Sequence, residues 1–208
     1  MRYFPISLDT RNKKLLVIGG GKVAYKKIRT LLDSELAIYV IAEEIHEEIE
    51  ILAKDFPDRI HINLLSIDEG FVFFGYDLLL IATNNESLNQ ALEKRAQSKG
   101  ILYLRCDQAG DSSFILNKIV RNGDIVVSVS TGGKNPTVSR IIGKDIEDFI
   151  QKYDPKKIQI LNEIRKALVA KKKENIPEIM QSLWDKEAIT LNEYLEEVDE
   201  DKTGISGK

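Results

Sequence analysis

The sequence predicts an α/β protein in which a doubly wound parallel sheet precedes a small α+β region and a helical C-terminal domain. Over about the first 110 residues, short apolar runs alternate with segments whose apolar residues recur at helical spacing, which is the pattern of βαβ units. An Asn-Gly pair at 122–123 then indicates a hairpin, and helical patterns follow it. We therefore expect domains at 1–112, 113–150 and 151–208.

Apolar runs predict the strands of the parallel sheet. The run at 76–83 is continuously apolar, which indicates a strand buried on both faces. An amphipathic helix is expected over 43–55, and another from Asn84 or Asn85 to Gly100. The predicted strands span 15–20, 37–42, 59–65, 76–83 and 101–106.

The pattern changes after the sheet. Two strands are expected at 113–120 and 124–131, joined through Arg121–Asp124. Helices are expected from Pro136 and from Pro155, because proline suits the first helical turn. Two shorter helices are expected at 175–184 and 191–198, and the polar residues 199–208 are expected to be disordered.

The hairpin region carries more apolar surface than an isolated hairpin buries, and a lone hairpin is marginally stable in water. We therefore expect a homodimer that is joined through 113–150. The apolar residues on which this expectation depends are Phe114, Ile115, Ile119, Val127 and Val129.

Composition and charge exclude several classes of protein. Of 208 residues, 43% are hydrophobic and 30% are charged, which suits a soluble core. No apolar run approaches the roughly 20 residues that span a bilayer, and no signal peptide is recognisable, so we expect a cytoplasmic protein without membrane contact. The single cysteine, Cys106, fits a reducing compartment, and a net charge of −3 gives no footprint for nucleic acid. The two histidines, His46 and His61, lack the spacing of metal ligands, so no metal site is expected.

A glycine pattern lies between the first strand and the first helix. Gly19, Gly21 and Ala24 match the form G-x-G-x-x-G/A, and the strand–turn–helix context favours a dinucleotide site over an ordinary glycine-rich turn. Here Gly19 permits the tight turn, Gly21 lets a pyrophosphate approach the backbone, and the helix N-terminus offers free N–H groups. This indicates a Rossmann-type domain. The residues assigned to the cofactor at this turn are Gly19, Gly20, Gly21, Lys22 and Val23.

Further cofactor contacts are expected at the carboxyl ends of the second and fourth strands. Glu43 and Glu44 lie 22 and 23 residues after Gly21, where an acidic residue binds the ribose hydroxyls and repels a 2′-phosphate, so NAD is expected rather than NADP. The same glutamates suit the start of a helix equally well. Thr83 and Asn84 end the fourth strand at this edge, and a helix cap is the alternative for Asn84.

Asp107 follows directly on the fifth strand and is expected to face the same crevice. A half-buried carboxylate there would have a raised pKa and would act as a base. From position alone, the favoured alternative is a structural one, in which Asp107 is a loop aspartate whose carboxylate accepts hydrogen bonds from backbone N–H groups. A second acid, Asp111, lies four residues further on, and Cys106 is expected in the core because no histidine is placed to activate it.

A second glycine turn precedes the helix at Pro136. Its hydroxyls, N–H groups and lysine suit an anionic substrate, and a plain strand-to-helix connection is the alternative. The residues assigned to substrate binding are Ser130, Thr131, Gly132, Gly133 and Lys134.

These motifs, in this order, resemble the siroheme synthase N-terminal family of precorrin-2 dehydrogenases, some of which are also sirohydrochlorin ferrochelatases. The resemblance covers about residues 1–150 and rests on segments 4–32, 78–85 and 106–140. The last segment contains Asp107-x(6)-Phe114 and a form of S-[ST]-G-G-x-[ST]-P, which few other Rossmann proteins carry. Departures from the family pattern are Leu104 in place of Asn, Gln108 with no proline in the turn, and Asn135 in place of Ser or Thr.

The resemblance implies NAD-dependent oxidation of precorrin-2, a carboxylate-rich tetrapyrrole, to sirohydrochlorin on the route to siroheme. It implies that Asp107 corresponds to the family's essential aspartate, and that the central region forms a dimer with exchanged strands. A ferrochelatase, alone or as a second activity, is an alternative that would use the same aspartate. A non-catalytic nucleotide-sensing module would explain the glycines but not the hairpin or the second glycine turn.

Overall fold

A computed structural model describes residues 1–108 and 112–200. Asp111 and most of the tail that was expected to be disordered lie outside the described residues. Asp199 and Glu200, the first two residues of that expected tail, instead end a helix. Within 1–108 and 112–200, no helix is both long enough and apolar enough to cross a membrane.

The first part of the chain forms a parallel sheet of five strands in the order β3-β2-β1-β4-β5. This confirms the doubly wound sheet. The strand at 37–42 has its expected bounds, and the other four are somewhat shorter than their apolar runs. The chain reverses its direction of winding between β1 and β4, which is the switch point of the sheet. The strands are β1 Lys14–Ile18, β2 Ala37–Ala42, β3 Ile60–Leu64, β4 Leu78–Ile81 and β5 Leu102–Arg105.

Helices cover both faces of the sheet. These are α1 Lys22–Leu31, α2 Glu47–Asp55 and α3 Glu86–Ser98. Leu15 and Val17 of β1 pack with the apolar residues of α1 and α2, whereas Leu16 and Ile18 pack with those of α3. Because successive strand residues point to opposite faces, this one buried strand supplies both halves of the core.

The connection between β3 and β4, residues 65–77, contains no helix. Phe73 from this connection is buried against the α3 side of the sheet. Its carbonyl accepts a hydrogen bond from Lys99 Nζ at 2.7 Å, and Arg95 donates to the carbonyl oxygens of Glu69 and Phe71. Basic side chains at the end of α3 therefore hold this connection in place.

The rest of the chain is an antiparallel hairpin followed by helices. The hairpin strands are β6 Lys118–Asn122 and β7 Ile125–Val129. The helices are α4 Pro136–Ile150, α5 Pro155–Ala170, α6 Ile176–Leu183 and α7 Ala188–Glu200. Helices α5, α6 and α7 share a core of leucine, isoleucine and valine side chains, so the expected helical C-terminal region is confirmed.

The hairpin turn differs from the expected one. Asn122 pairs with Ile125, so the loop is Gly123–Asp124. The first strand continues to Asn122, beyond its expected end at 120, whereas the second lies inside the expected range 124–131. Gly123 has a φ of +58°, and a positive φ at the first loop position is typical of type II′ turns. Asn122 lies in the strand rather than in the loop. Its side-chain amide donates to the carbonyl oxygens of Ile150 and Tyr153, both at 2.8 Å, and so links the hairpin to the end of α4.

The chain divides into two compact units. Residues 1–116 with 132–134 form the first, and residues 117–131 with those from 135 onward form the second. Residues 113–116 therefore belong with the sheet, and Phe114 packs against the first unit's core. The three expected domains, 1–112, 113–150 and 151–208, stay a prediction.

Candidate cofactor and active site

The first two glycines of the turn after β1 are required by close backbone approaches. Gly19 has a φ of +109°, and a Cβ there would overlap the carbonyl of Ala82, whose carbon lies 2.7 Å away. A Cβ on Gly20 would overlap the carbonyl oxygen of Glu44 and lie 2.7 Å from Ile45 Cδ1. These glycines let the ends of β1, β2 and β4 meet.

The third glycine has a different environment. No atom lies within 4 Å of a Cβ built on Gly21, and its φ of −81° and ψ of −175° suit any residue. It is the N-cap of α1 and makes no side-chain cap, whereas the caps of α2, α3, α4 and α5 each accept a hydrogen bond through a side chain. Open space beside a helix N-terminus with an uncapped first turn fits a phosphate group. Lys22 and Val23 are exposed beside it.

Glu43 and Glu44 are exposed at the end of β2. The Glu43 carboxylate accepts a hydrogen bond from Ser66. Helix α2 begins at Glu47, after a cap in which His46 Nδ1 accepts from the Glu48 N–H at 3.3 Å. The alternative that these glutamates start a helix is therefore wrong, and their role at the ribose stays a prediction.

Thr83 and Asn84 follow β4. Thr83 Oγ1 donates to Asn89 Oδ1 at 2.5 Å and accepts from the Asn85 N–H at 3.1 Å. Asn85 caps α3 by accepting from the Leu88 N–H at 3.1 Å, so Asn84 is not the cap. Asn84 is exposed at the edge of the sheet.

Asn89, which is 1% exposed, was not among the predicted site residues. Its amide donates to the Thr83 carbonyl and to Asp107 Oδ2, both at 3.0 Å. It thus links the end of β4 to the end of β5. The available signal was an asparagine in the apolar stripe of α3, beside Leu88 and Leu92.

The ion pair that holds Asp107 was not predicted either. Arg105 Nε donates to Asp107 Oδ1 at 3.0 Å, and Nη2 donates to Oδ2 at 2.6 Å. The third nitrogen, Nη1, donates to Glu93 Oε2 at 2.7 Å. The Arg105 side chain is 2% exposed and that of Asp107 is 28% exposed, so a buried cation lies behind a carboxylate that solvent still reaches.

This pair reverses the expected pKa of Asp107. The hydrogen bonds from Arg105 lower the pKa of the carboxyl to about 2, and the Asn89 amide lowers it further, against the opposing effect of burial. The expectation of a raised pKa is therefore wrong, and Asp107 is ionised at all physiological pH values. The alternative, a loop aspartate satisfied by backbone N–H groups, also needs correction, because side chains are the main hydrogen-bond partners of this carboxylate.

Cys106 lies half-buried against the core of the sheet. Burial raises the pKa of its thiol, which disfavours the nucleophilic thiolate. The expectation that Cys106 is a core residue is confirmed. Within 1–108 and 112–200, no group of three or more His, Cys, Asp and Glu side chains is placed to hold a metal ion.

The second glycine turn is divided between the two units. Ser130 and Thr131 belong to the second unit, and Gly132–Lys134 belong to the first. Thr131 Oγ1 accepts from the Asn135 N–H at 3.1 Å and lies 3.1 Å from Ser139 Oγ. Asn135, the departure from the family pattern, caps α4 by accepting from the Val138 N–H at 3.1 Å.

Gly132 and Gly133 have φ values of +66° and +77°, a conformation that favours glycine. Lys134 is exposed. The part that Ser130–Lys134 would take in substrate binding stays a prediction.

Comparisons with known proteins agree with this geometry. Residues 6–118 match a family model described as putative NAD(P)-binding. The chain is 33% identical over 151 residues to a siroheme synthase of Buchnera aphidicola subsp. Acyrthosiphon pisum, covering 72% of this chain and 31% of that protein. It is 28% identical over 188 residues to a siroheme synthase of Actinobacillus pleuropneumoniae serotype 7, covering 89% and 37%. The chain thus spans about a third of the length of the curated relatives that it matches.

A solved structure named SirC, precorrin-2 dehydrogenase, is similar with a TM-score of 0.69 and 20% identity, covering 95% of this chain and 99% of that one. It shows the fold. The sheet and its glycine turn define an NAD(P)-binding protein of Rossmann type. The chain belongs to this putative NAD(P)-binding family, and its similarity to siroheme synthases confirms the resemblance to the siroheme synthase N-terminal family.

Substitutions at two glycines of this turn should have different effects, one on cofactor binding and the other on stability. We expect Gly21→Val to fold normally but to weaken NAD(P) binding at least about tenfold, because its side chain would fill the space left for the phosphates. We expect Gly19→Ala to lower the free energy of unfolding by about 2 kcal/mol or more, because it combines backbone strain with overlap. Titration of cofactor fluorescence and urea unfolding measure the two effects.

A matched control is Gly70→Val, on the connection between β3 and β4, where φ is ordinary and the nearest atom is a flexible Asp68 carboxylate oxygen at 3.0 Å. It should leave cofactor affinity unchanged. Wild-type affinity in Gly21→Val would contradict the assignment of this turn to the phosphates.

Proposed function

We propose that the chain catalyses the NAD-dependent oxidation of precorrin-2 to sirohydrochlorin in siroheme biosynthesis. The observation that carries this proposal is a carboxylate, Asp107, at the carboxyl end of β5, joined through Asn89 to Thr83 at the end of the neighbouring strand β4. In doubly wound sheets, ligands lie off this edge, at the switch point. The similarity to siroheme synthases and to a protein named precorrin-2 dehydrogenase supports the choice of substrate.

A bound nicotinamide supplies the hydride acceptor, and the residues of this chain bind and orient the reactants. The open space at Gly21 and the uncapped N-terminus of α1 suit the pyrophosphate. Glu43 and Glu44 are assigned to the ribose, and Thr83 and Asn84 to the cofactor near β4. Lys134 and the hydroxyls of the second glycine turn are assigned to substrate carboxylates.

Asp107 is the proposed catalytic residue. The reaction removes a hydride, with both electrons of a C–H bond, and a proton that leaves for a base or for water. Loss of hydride generates positive charge on the substrate, and a fixed carboxylate that is already ionised stabilises such charge. With a pKa of about 2, Asp107 is a weak base but a permanent anion, so its electrostatic contribution does not depend on pH near neutrality.

We expect Asp107→Ala to lower the rate of NAD reduction with precorrin-2 by about 10²–10³-fold, the usual effect of removing one electrostatic stabiliser, with NAD affinity within about twofold of wild type. The assay follows nicotinamide absorbance, and iron uptake by sirohydrochlorin is measured beside it. The control is Asp9→Ala, which removes an exposed aspartate that is also paired with an arginine. A rate within threefold of wild type would exclude a catalytic role for Asp107, and a wild-type chain that inserts iron but reduces no NAD would favour the chelatase alternative.

We expect the chain to bind NAD at least about tenfold more tightly than NADP, because Glu43 and Glu44, exposed after β2, are assigned to the ribose and would repel a 2′-phosphate there. The double variant Glu43→Gln/Glu44→Gln should raise NADP affinity, whereas Glu47→Gln, on α2, should not. Titration of both cofactors decides this, and tighter binding of NADP by the wild-type chain would contradict it.

We also propose a homodimer that is joined through the hairpin and α4. The described residues correct the apolar set on which this expectation rested: Phe114 packs in the first unit's core, and Val129 is buried. The exposed apolar side chains of the hairpin and α4 are Ile119, Val126, Val138, Ile141, Ile142 and Phe149. Exposed apolar side chains in this number, on one hairpin and its helix, support an interface with a second chain.

We expect light scattering at micromolar concentration to give the mass of a dimer. Replacing the 60% exposed Ile141 by Arg should shift the protein toward the monomer, because a guanidinium would be buried in the interface. The matched control is Ile51→Arg, which alters a 50% exposed isoleucine on α2. A monomeric wild-type chain would refute the proposal.

A further inference from the structure

A buried arginine lies behind the proposed catalytic carboxylate, and the reaction as described above does not use it. The Arg105 side chain is 2% exposed. A charge removed from water in this way costs several kcal/mol unless it is paired and hydrogen-bonded. The arrangement around Arg105 therefore needs a reason beyond filling space at the end of β5.

The guanidinium is held from two sides. Two of its nitrogens donate to the two oxygens of Asp107, and the third donates to Glu93 Oε2. The other oxygen of Glu93 accepts from Tyr103 Oη and from Gln97 Nε2, both at 3.1 Å. Because Glu93 is itself fixed, the plane of the guanidinium is fixed, and a bidentate pair transmits that orientation to the carboxylate.

Helix α3 supplies a second restraint one turn earlier. Asn89 and Glu93 are four residues apart and share a helix face. While Glu93 holds Arg105, the Asn89 amide donates directly to Asp107 Oδ2 at 3.0 Å. Oδ2 thus accepts from both Arg105 and Asn89, and Oδ1 accepts from Arg105 alone among these side chains.

We infer that Arg105 is a positioning residue that, braced by Glu93 and assisted by Asn89, fixes the Asp107 carboxylate in one orientation toward the substrate. This inference rests on the proposed function, since it gives the fixed carboxylate a reaction to serve. The guanidinium does not touch the substrate. It acts by holding Asp107 as an oriented anion while 28% of the Asp107 side chain stays open to approach.

The charges around Asp107 give this arrangement a pH signature. Arg105 is the cation bonded to the carboxylate, Glu93 lies on the far side of Arg105, and Cys106 carries a thiol whose pKa is raised by burial. Arg105 lowers the pKa of Asp107 and burial raises it. Without Arg105, the pKa of the carboxyl rises, so the carboxylate is lost at a higher pH as the solution is acidified.

An ion pair of purely structural importance would behave differently. Its removal would lower the free energy of unfolding but would leave kcat and the acidic limb of the pH–rate profile unchanged in the folded fraction. The experiment must therefore separate stability from turnover, and turnover from the binding of the cofactor.

The test compares Arg105→Met with Arg11→Met. Arg11 and Asp9 form a pair of the same two residue types, also two positions apart, with Nε at 3.0 Å from Oδ1 and Nη2 at 2.6 Å from Oδ2. Their side chains are 71% and 61% exposed. The two variants thus remove the same chemistry from a buried and from an exposed site.

For Arg105→Met, we expect kcat with precorrin-2 at pH 7 to fall about 10–100-fold, since small misplacements of a catalytic group have effects of this order. NAD affinity should stay within about twofold, and the acidic limb of kcat should move to higher pH. The Asp107 carboxyl signal in NMR, assigned by its absence in Asp107→Asn, should titrate at higher pH than in wild type. Arg11→Met should change none of these quantities.

Arg105→Lys is the second variant, because it keeps the buried charge and therefore folds if the loss of charge prevents Arg105→Met from folding. A lysine gives one point of contact in place of two, so we expect Asp107 to stay ionised while kcat remains about tenfold below wild type. Wild-type kcat and an unchanged pH profile in either folded variant would overturn the inference. A wild-type chain without activity on precorrin-2 would refute the proposed function instead, and the NMR titration would still decide whether Arg105 holds Asp107.

Discussion

The close approach of the Gly19 backbone to the Ala82 carbonyl is the contact on which the candidate site depends. The Gly19 N–H donates to the Ile41 carbonyl at 2.9 Å, and the Ala82 N–H donates to the Ile18 carbonyl at 2.8 Å. The ends of β1, β2 and β4 therefore meet without side chains between them. Because these strand ends meet, α1 begins beside the switch point. Its first turn, which no side chain caps, lies at the same edge of the sheet as Thr83.

Polar contacts extend this edge to β5. Thr83, Asn89 and Asp107 form one hydrogen-bonded chain, and Arg105 and Glu93 continue it into α3. Each buried polar group in this chain has a partner, which is the condition for burying it at acceptable free-energy cost. The helix that covers one face of the sheet thus also sets the geometry of the site.

The sequence predicted the sheet well because its signals are local. The apolar runs, the glycine spacing and the alternation with helices all lie within short segments. The hairpin was predicted in the right place, but its loop is shorter than the expected connection because β6 continues to Asn122. The Asn122 side chain is held by the distant carbonyls of Ile150 and Tyr153, and no local pattern encodes that contact. The pKa of Asp107 was predicted in the wrong direction for the same reason. Arg105 comes two residues before Asp107 in an apolar strand, and no sequence pattern indicates that its guanidinium bonds to the Asp107 carboxylate.

Asn89 shows a related limit. An asparagine in an apolar helical stripe indicates a buried polar contact. Its partners, Thr83 and Asp107, follow two different strands, and they are determined by how α3 packs on the sheet. Phe114 was assigned to the hairpin because it lies in an apolar run, although it packs with the sheet. Local propensity cannot distinguish which of two cores will bury a given side chain.

The division of the chain has a consequence for biosynthesis. Residues 132–134 belong to the first compact unit, although the hairpin, 117–131, lies between them and the rest of that unit. A ribosome therefore releases the last residues of the first unit only after it has released the whole hairpin. The sheet of the nascent chain is complete by Arg105, but its unit closes later, so the two units mature as overlapping rather than successive events in translation.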